Sequence, residues 1–224
     1  MHISETSSAP TGTHGSAPRG ADYSDALARF ANDHVSGQGW AAVVEAYHAV
    51  RAMPYFSGPD RTPLAALRSG RGACTARHII LRDLLRRLGV QADVEIVDCD
   101  FAAAVPPHPT MPADLRHVAE EGSIRDMHCW VRAWNGETPV LLDATWPDTL
   151  AAYGFAVNAG WAGAGDTRAA ADGTVRCAPE DVLASKEALL SELSDKQSNA
   201  RLSFLAGLSK WLNELPSGQE GGRR

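Results

Sequence analysis

The strongest periodic signal in the chain runs from Cys74 to Leu88. Ile80, Leu84 and Leu88 recur every four residues and Leu81 and Leu85 flank them. One wide apolar face results, which predicts an amphipathic helix. Gly89 follows where a helix C′ residue belongs. VQADVEIVD then alternates, with Val90, Ala92, Val94 and Ile96 on one face, as a half-buried strand does. Upstream, residues 22–34 and 38–52 read as helices, the second carrying Trp40, Val43, Val44, Tyr47 and Val50 at helical spacing. Prolines and a glycine make 53–63 a loop, and 64–67 a short helical turn. Downstream, MHCWVRAW (127–134) and PVLLDATW (139–146) read as strands around Asn135-Gly136, a strong hairpin signal. Residues 98–126 are expected to be irregular, with a short helix at 112–121, and 147–177 to be surface loop. Pro179 opens a helix at 180–193, and Ser194 with Gln197 has capping-box form before a last helix ending near Leu215.

A chain of 224 residues, 44% hydrophobic and 21% charged, suits one substantial core. Residues 1–21 and 216–224 are rich in small and polar residues and are expected to be disordered tails, leaving 22–215 as a single domain. A net charge of −6 argues against nucleic acid as a partner, since phosphate binding needs a clustered basic surface. Arg82, Arg86 and Arg87 lie near a predicted helix end, where they complement the helix dipole. No apolar run approaches the roughly 20 residues that span a bilayer, so no membrane partner is expected. The N-terminus lacks a signal-peptide core, and the expected location is cytoplasmic. Cys74, Cys99, Cys129 and Cys177 form no CxxC pair and no zinc-finger spacing, so neither a structural metal nor a disulfide scaffold is expected.

Chemistry enters with GRGACTAR at 70–77, which delivers Cys74 to a helix start. Unsatisfied backbone N–H groups there favour the thiolate, the reactive form of cysteine. Gly70 and Gly72 are expected to allow a tight approach and leave the sulfur uncrowded. Position alone still favours packing, because cysteine is among the most buried residue types. The hairpin changes that balance. A two-residue Asn135-Gly136 turn pairs Trp134 with Glu137, Trp130 with Leu141 and His128 with Asp143. Opposed side chains share a face, so imidazole and carboxylate can hydrogen-bond, as a cysteine nucleophile requires. Pro139 sits awkwardly, facing Arg132 where a hydrogen-bonded pair is expected, and a slip of one residue would carry Asp143 to the other face. Asp143 lies within the apolar run VLLDATW, a setting that an unpaired carboxylate rarely occupies.

A Gly-x-Cys at a helix start, a Leu-Gly helix end leading into a strand, then His-x-Trp, then Leu-Asp-Ala-Thr resemble the transglutaminase-like superfamily. The chain looks like a small stand-alone member of bacterial type. The likeness covers about residues 40–146, in GACTARHIILRDLLRRLGV, MHCWV and LLDATW, with TPLAALRSGRG ahead of the cysteine. It implies an α+β fold with a papain-like core, the nucleophile helix packed on an antiparallel sheet, and extra helices at both ends. It also implies a triad in which Cys74 attacks a carbonyl, His128 moves the proton and Asp143 orients the imidazole. The Cys74 N–H would donate to the oxyanion, with Trp40, Tyr47 or Tyr55 as second donor, and Trp130 would pack beside the triad. Thr75, Ala76 and Arg77 depart from the acidic and aromatic residues many relatives carry after the cysteine. No cofactor or metal is implied.

His78, one turn after Cys74, either borders the site or packs beside it. A zinc site drawn from His117, Asp126 and Cys129 matches no ligand spacing, and His108 adds none. Cys129 alternates away from His128 and reads as core. Trp134, Trp146 and Trp161 read as core or loop anchors. The expected activity is acyl transfer through a thioester, from a small-molecule, carrier-bound or peptidyl acyl donor to an amine. The alternative is hydrolysis by the same triad as a peptidase or amidase. An arylamine N-acetyltransferase-like reaction suits the cysteine motif less well, and a non-catalytic binding module would be expected to have lost a triad residue.

Overall fold

The computed structural model describes residues 20–122 and 124–216, so the segments expected to be disordered lie almost wholly outside it. Four helices come first: α1 (Gly20–His34), α2 (Gly39–Ala52), α3 (Pro63–Ser69) and α4 (Cys74–Arg87). Strand β1 (Ala92–Asp100), helix α5 (Ala113–Glu121) and the hairpin β2 (Arg125–Asn135) and β3 (Thr138–Leu142) follow. The chain closes with β4 (Gly173–Cys177), α6 (Val182–Leu190) and α7 (Asp195–Glu214). The strands form one antiparallel sheet in the order β3-β2-β1-β4. The class is therefore α+β, with the helix that starts at Cys74 packed on the sheet.

Helix α4 is buried along most of its length. Ile80, Leu81, Leu84 and Leu85 meet Val94 and Ile96 of β1 and Val131 and Ala133 of β2, while Val43, Tyr47 and Val50 of α2 close the same core. Leu88, expected on that apolar face, is 38% exposed because the helix has ended there and Gly89 turns the chain at φ 78°. The capping box ahead of α7 forms in both directions: Ser194 Oγ accepts from Gln197 N, and Gln197 accepts from Ser194 N.

The hairpin departs from the expected register. Its turn is Gly136-Glu137, Asn135 pairs with Thr138, and Trp134 faces Pro139. Only Gly136 has a positive φ, the pattern of a type II′ turn. Pro139 supplies the reason. Next to the closing pair of a two-residue turn comes a non-hydrogen-bonded pair, and β3 is an edge strand, so no N–H is needed at that position. The shift is two residues, and a two-residue shift preserves which face each side chain occupies. His128 and Asp143 thus stay on one face, diagonal rather than directly opposed.

The stretch 147–177, expected as loop, contains β4 and a short 3-10 segment at Asp148–Tyr153. Four of the five β4 residues are exposed, so the strand carries no apolar alternation to reveal it. It pairs with β1 across a bulge between Ile96 and Val97. Gly173 lies so close to β1 that a Cβ would sit 2.5 Å from Asp98 O and 2.9 Å from Cys99 Cβ. Gly173→Ala is therefore expected to destabilise the protein by about 1–3 kcal/mol. The shift should appear as a lower denaturation midpoint, and an unchanged midpoint would show that β4 yields freely.

Candidate active site

Cys74 is the first residue of α4, and Ala73 before it offers no side chain to cap the helix. Gly70 ends α3 in a left-handed turn. A Cβ on Gly72 would lie 2.9 Å from Ala66 Cβ. The two glycines therefore serve a turn and close packing against α3, not clearance above the sulfur. Gly72 also exchanges backbone hydrogen bonds with Pro54 and Phe56, which brings Tyr55 over the start of α4.

His128 on β2 and Asp143 just beyond β3 meet with Nε2 to Oδ2 at 2.8 Å. His128 is fully buried and Asp143 is 2% exposed. The carboxylate is well supplied with donors: Ala170 N reaches Oδ2 at 2.7 Å and Thr145 N reaches Oδ1 at 2.9 Å. Its backbone is also held, its N–H donating to Thr167 Oγ1 and its carbonyl accepting from the Tyr47 hydroxyl at 3.0 Å. The second ring nitrogen of His128, Nδ1, is buried and has no hydrogen-bond partner among the described residues. Cys74 is near enough to this ring for each group to shift the other's ionisation.

Burial opposes charge on His128, but the Asp143 carboxylate and then Cys74 outweigh it and raise the imidazole to about 10. Asp143 is held well below the usual carboxylate range: burial pushes it upward, and the charge and hydrogen bond of His128 more than reverse this. Cys74 is drawn well below the ordinary thiol range by a hydrogen bond from Cys129, against burial, with Lys186 and His128 adding positive charge. Lys186 Nζ lies 3.9 Å from Cys74 Sγ and donates to Thr75 Oγ1 at 2.8 Å. Cys129 does pack in the core, yet its sulfur also faces Thr75 at 3.8 Å. Cys99 is pushed up to about 12 by burial and the nearby Asp126 carboxylate.

The other residues singled out from sequence have definite places. The fully buried His78 accepts from Ala144 N at Nε2 (2.9 Å), so the Nδ1 proton goes to the Cys74 carbonyl at 2.8 Å. It ties the nucleophile's turn to the Asp143 loop. Trp40 and Tyr47 cannot serve as oxyanion donors in this arrangement: Trp40 Nε1 is bonded to Gly163 O and the Tyr47 hydroxyl to Asp143 O. Tyr55 stays beside Cys74, whose charge, after burial, helps raise its phenol pKa. Trp130 packs its ring 6.2 Å from His128 and gives its N–H to Glu95. Trp146 Nε1 is buried and has no partner among the described residues, which leaves a donor beside Tyr55 and Phe101. His117 pairs with Glu121 on the surface of α5, and Asp126 is bonded to Arg201 at 2.5 Å, so the zinc arrangement drawn from sequence is not assembled.

Phe101 stacks on His128 at 5.6 Å and on Trp146 at 6.0 Å, and Tyr55 packs on Trp146 at 5.2 Å. These rings cover the site, and Cys74 is only 4% exposed. A surface cleft of about 350 Å³ between the 102–106 and 168–172 segments is lined in part by Ala104, Arg168 and Ala170. Ala170 also donates to Asp143, so the cleft wall and the carboxylate share that residue.

No protein-family model matches the chain, and no curated protein does. Among solved structures, a chain from Cytophaga hutchinsonii provisionally described as a cysteine protease aligns with 57% of this chain. The match spans 39% of that protein's length at 16% identity, with a TM-score of 0.38.

The charges on His128 and Asp143 set opposite pH limits on stability. The raised His128 contributes stability fully present below about pH 6.5, its unfolded value, and lost as pH rises through about 10. The depressed Asp143 contributes stability present above the usual carboxylate range and lost as pH falls through its lower folded value. Denaturation midpoints measured across pH should fall at the alkaline end in the native protein and less so in Asp143→Asn. Equal alkaline losses in both would remove the pair as their source.

Proposed function

We propose that this protein is a cysteine-dependent acyl enzyme, with Cys74 as nucleophile, His128 as proton carrier and Asp143 as its orienting partner. The observation carrying this reading is a buried imidazole bonded through Nε2 to a carboxylate, its Nδ1 unpartnered among the described residues, beside a buried thiol at a helix start with the Lys186 ammonium 3.9 Å from its sulfur. Each part has a role that packing alone does not call for.

Cys74 Sγ attacks the carbonyl carbon of an amide, ester or thioester. The carbonyl oxygen takes the negative charge beside the Cys74 backbone N–H, with the Trp146 indole N–H or the Tyr55 hydroxyl as second donor. The bond to the leaving group then breaks, and the leaving group takes the Nδ1 proton of His128 while the acyl group remains on sulfur as a thioester. An incoming nucleophile gives its proton to Nδ1 and attacks the thioester, the tetrahedral intermediate collapses, and Cys74 departs as thiolate. Asp143 keeps Nε2–H fixed throughout, so that Nδ1 is the nitrogen that exchanges protons.

Transfer to an amine is favoured over hydrolysis by the burial of His128 and the aromatic cover of Phe101, Tyr55 and Trp146, which keep water from an acyl-enzyme. The acyl donor is small, carrier-bound or peptidyl. Hydrolysis by the same residues is the second reading, supported by the same triad.

Intact-mass analysis after incubation with a panel of amides, esters and thioesters is expected to trap an acyl group on Cys74. The added mass names the donor, and free amines in the reaction distinguish transfer from hydrolysis. Failure of every donor to acylate Cys74, in protein whose Cys74 thiol is intact, would reject the acyl-enzyme reading. Asp143→Asn is expected to fold and to lose turnover by about 10⁴-fold, since the imidazole is left in the wrong tautomer. Near-normal turnover would take Asp143 out of the mechanism. In the native protein, kcat/KM should rise at a pH below the ordinary thiol range and decline near pH 10, where His128 loses its proton.

A further inference from the structure

Lys186 has no place in the triad, yet its ammonium lies 3.9 Å from the sulfur of the proposed nucleophile. It belongs to α6, beyond the 40–146 segment that carries the family likeness, and is 7% exposed. Its Nζ donates to Thr75 Oγ1 at 2.8 Å and lies 3.9 Å from Cys74 Sγ. A buried ammonium ordinarily pairs with a carboxylate, because burying an uncompensated charge costs several kcal/mol. Among the described residues no carboxylate pairs with Lys186. Asp126, an acid whose charge reaches it, is already bonded to Arg201 at 2.5 Å. The ionisable groups facing the ammonium are Cys74 from α4, Asp126 and Cys129 from β2, Cys99 from β1 and Arg201 from α7. Burial pushes the Cys99 thiol up, and Cys129, whose sulfur is turned toward Thr75 Oγ1 at 3.8 Å, is pushed up as well by Cys74 and by burial. The sulfur within hydrogen-bonding reach of Nζ is that of Cys74, at 3.9 Å.

We infer that Lys186 is a positioning residue for the nucleophile, a fixed counter-charge anchored by Thr75 that keeps Cys74 ionised whatever the protonation of His128. The inference rests on reading Cys74 as the nucleophile. In a pair made only of cysteine and histidine, the thiolate persists while the imidazolium does, and giving the proton to a leaving group weakens both. Here the thiolate has a second cation that takes no part in proton transfer. That cation also stabilises the thiolate when the thioester breaks and sulfur departs.

The test is a pH titration of the ultraviolet thiolate absorbance, taken as the difference between each protein and its Cys74→Ser counterpart. No substrate is needed. Lys186→Met is expected to raise the Cys74 midpoint by about one pH unit or more, and Lys186→Arg to leave it near the native value. His128→Gln is expected to leave Cys74 substantially ionised at neutral pH. Methionine has a similar volume, and Cys74 can take up a proton once the ammonium is gone, so no buried charge is left uncompensated and the fold should hold. If it does not, Lys186→Gln removes the charge while keeping a donor to Thr75 and gives the same reading. A native midpoint in the folded neutral variant, or an equal rise in Lys186→Arg, overturns the inference. A low native midpoint that rises in Lys186→Met, together with a donor panel that never acylates Cys74, would sink the acyl-enzyme reading and leave Lys186 in place.

Discussion

A carboxylate taken out of water survives only where hydrogen bonds and an opposite charge replace what solvent supplied, and the structure around Asp143 is organised by that requirement. Its oxygens are met by the imidazole of β2, by a backbone N–H two residues on and by a backbone N–H from the 167–171 segment. The hydroxyl of Tyr47 on α2 and the side chain of Thr167 hold its own peptide groups. Helix α2, the sheet and a long connection must all be in place before the charge is tolerable. Arg77 does related work one layer out, bridging the end of α2 to Thr145 O through its buried guanidinium. The residues after Cys74 that depart from the family pattern are thus framework here: Arg77 joins α4 to its neighbours, and Thr75 receives Lys186.

Charges alternate along the buried interior. Asp143 faces His128, Cys74 lies beside both His128 and Lys186, and Asp126 on the same strand faces Arg201 of the last helix. Taking α6 and α7 as ornaments on a core of residues 40–146 would leave two of these cations unexplained. The C-terminal helices bring positive charge to buried Asp126 and to the Cys74 sulfur, and this links a peripheral part of the chain to the proposed site at its centre.

Much of this was legible in the sequence where side-chain period and burial coincide. The Cys74–Leu88 spacing marks α4, and the Ser194–Gln197 box marks the start of α7. The alternation from Val90 to Ile96 marks β1. The face shared by His128 and Asp143 was legible too, because it depends only on parity. The register was not, since the Asn135-Gly136 signal competes with Pro139, and the proline decides. Strand β4 escaped notice because an exposed edge strand has no apolar face to display. Lys186, Thr167 and the Ala170 backbone were beyond reach for another reason. Each comes to the site through a tertiary contact more than twenty residues from its partner, and nothing in their local sequence announces it.

The hairpin's parity has a bearing on how such a chain can change length. Between His128 and Asp143 the site depends on which side of the ribbon a residue emerges, and that side repeats every second residue. Adding or removing two residues at the Gly136-Glu137 tip would lengthen or shorten the ribbon and leave both side chains where they meet. A single insertion within the paired strands would turn one of them away unless a bulge absorbed it. Lineages that vary this tip are therefore expected to do so in even steps, or to carry an odd one with a bulge beside it.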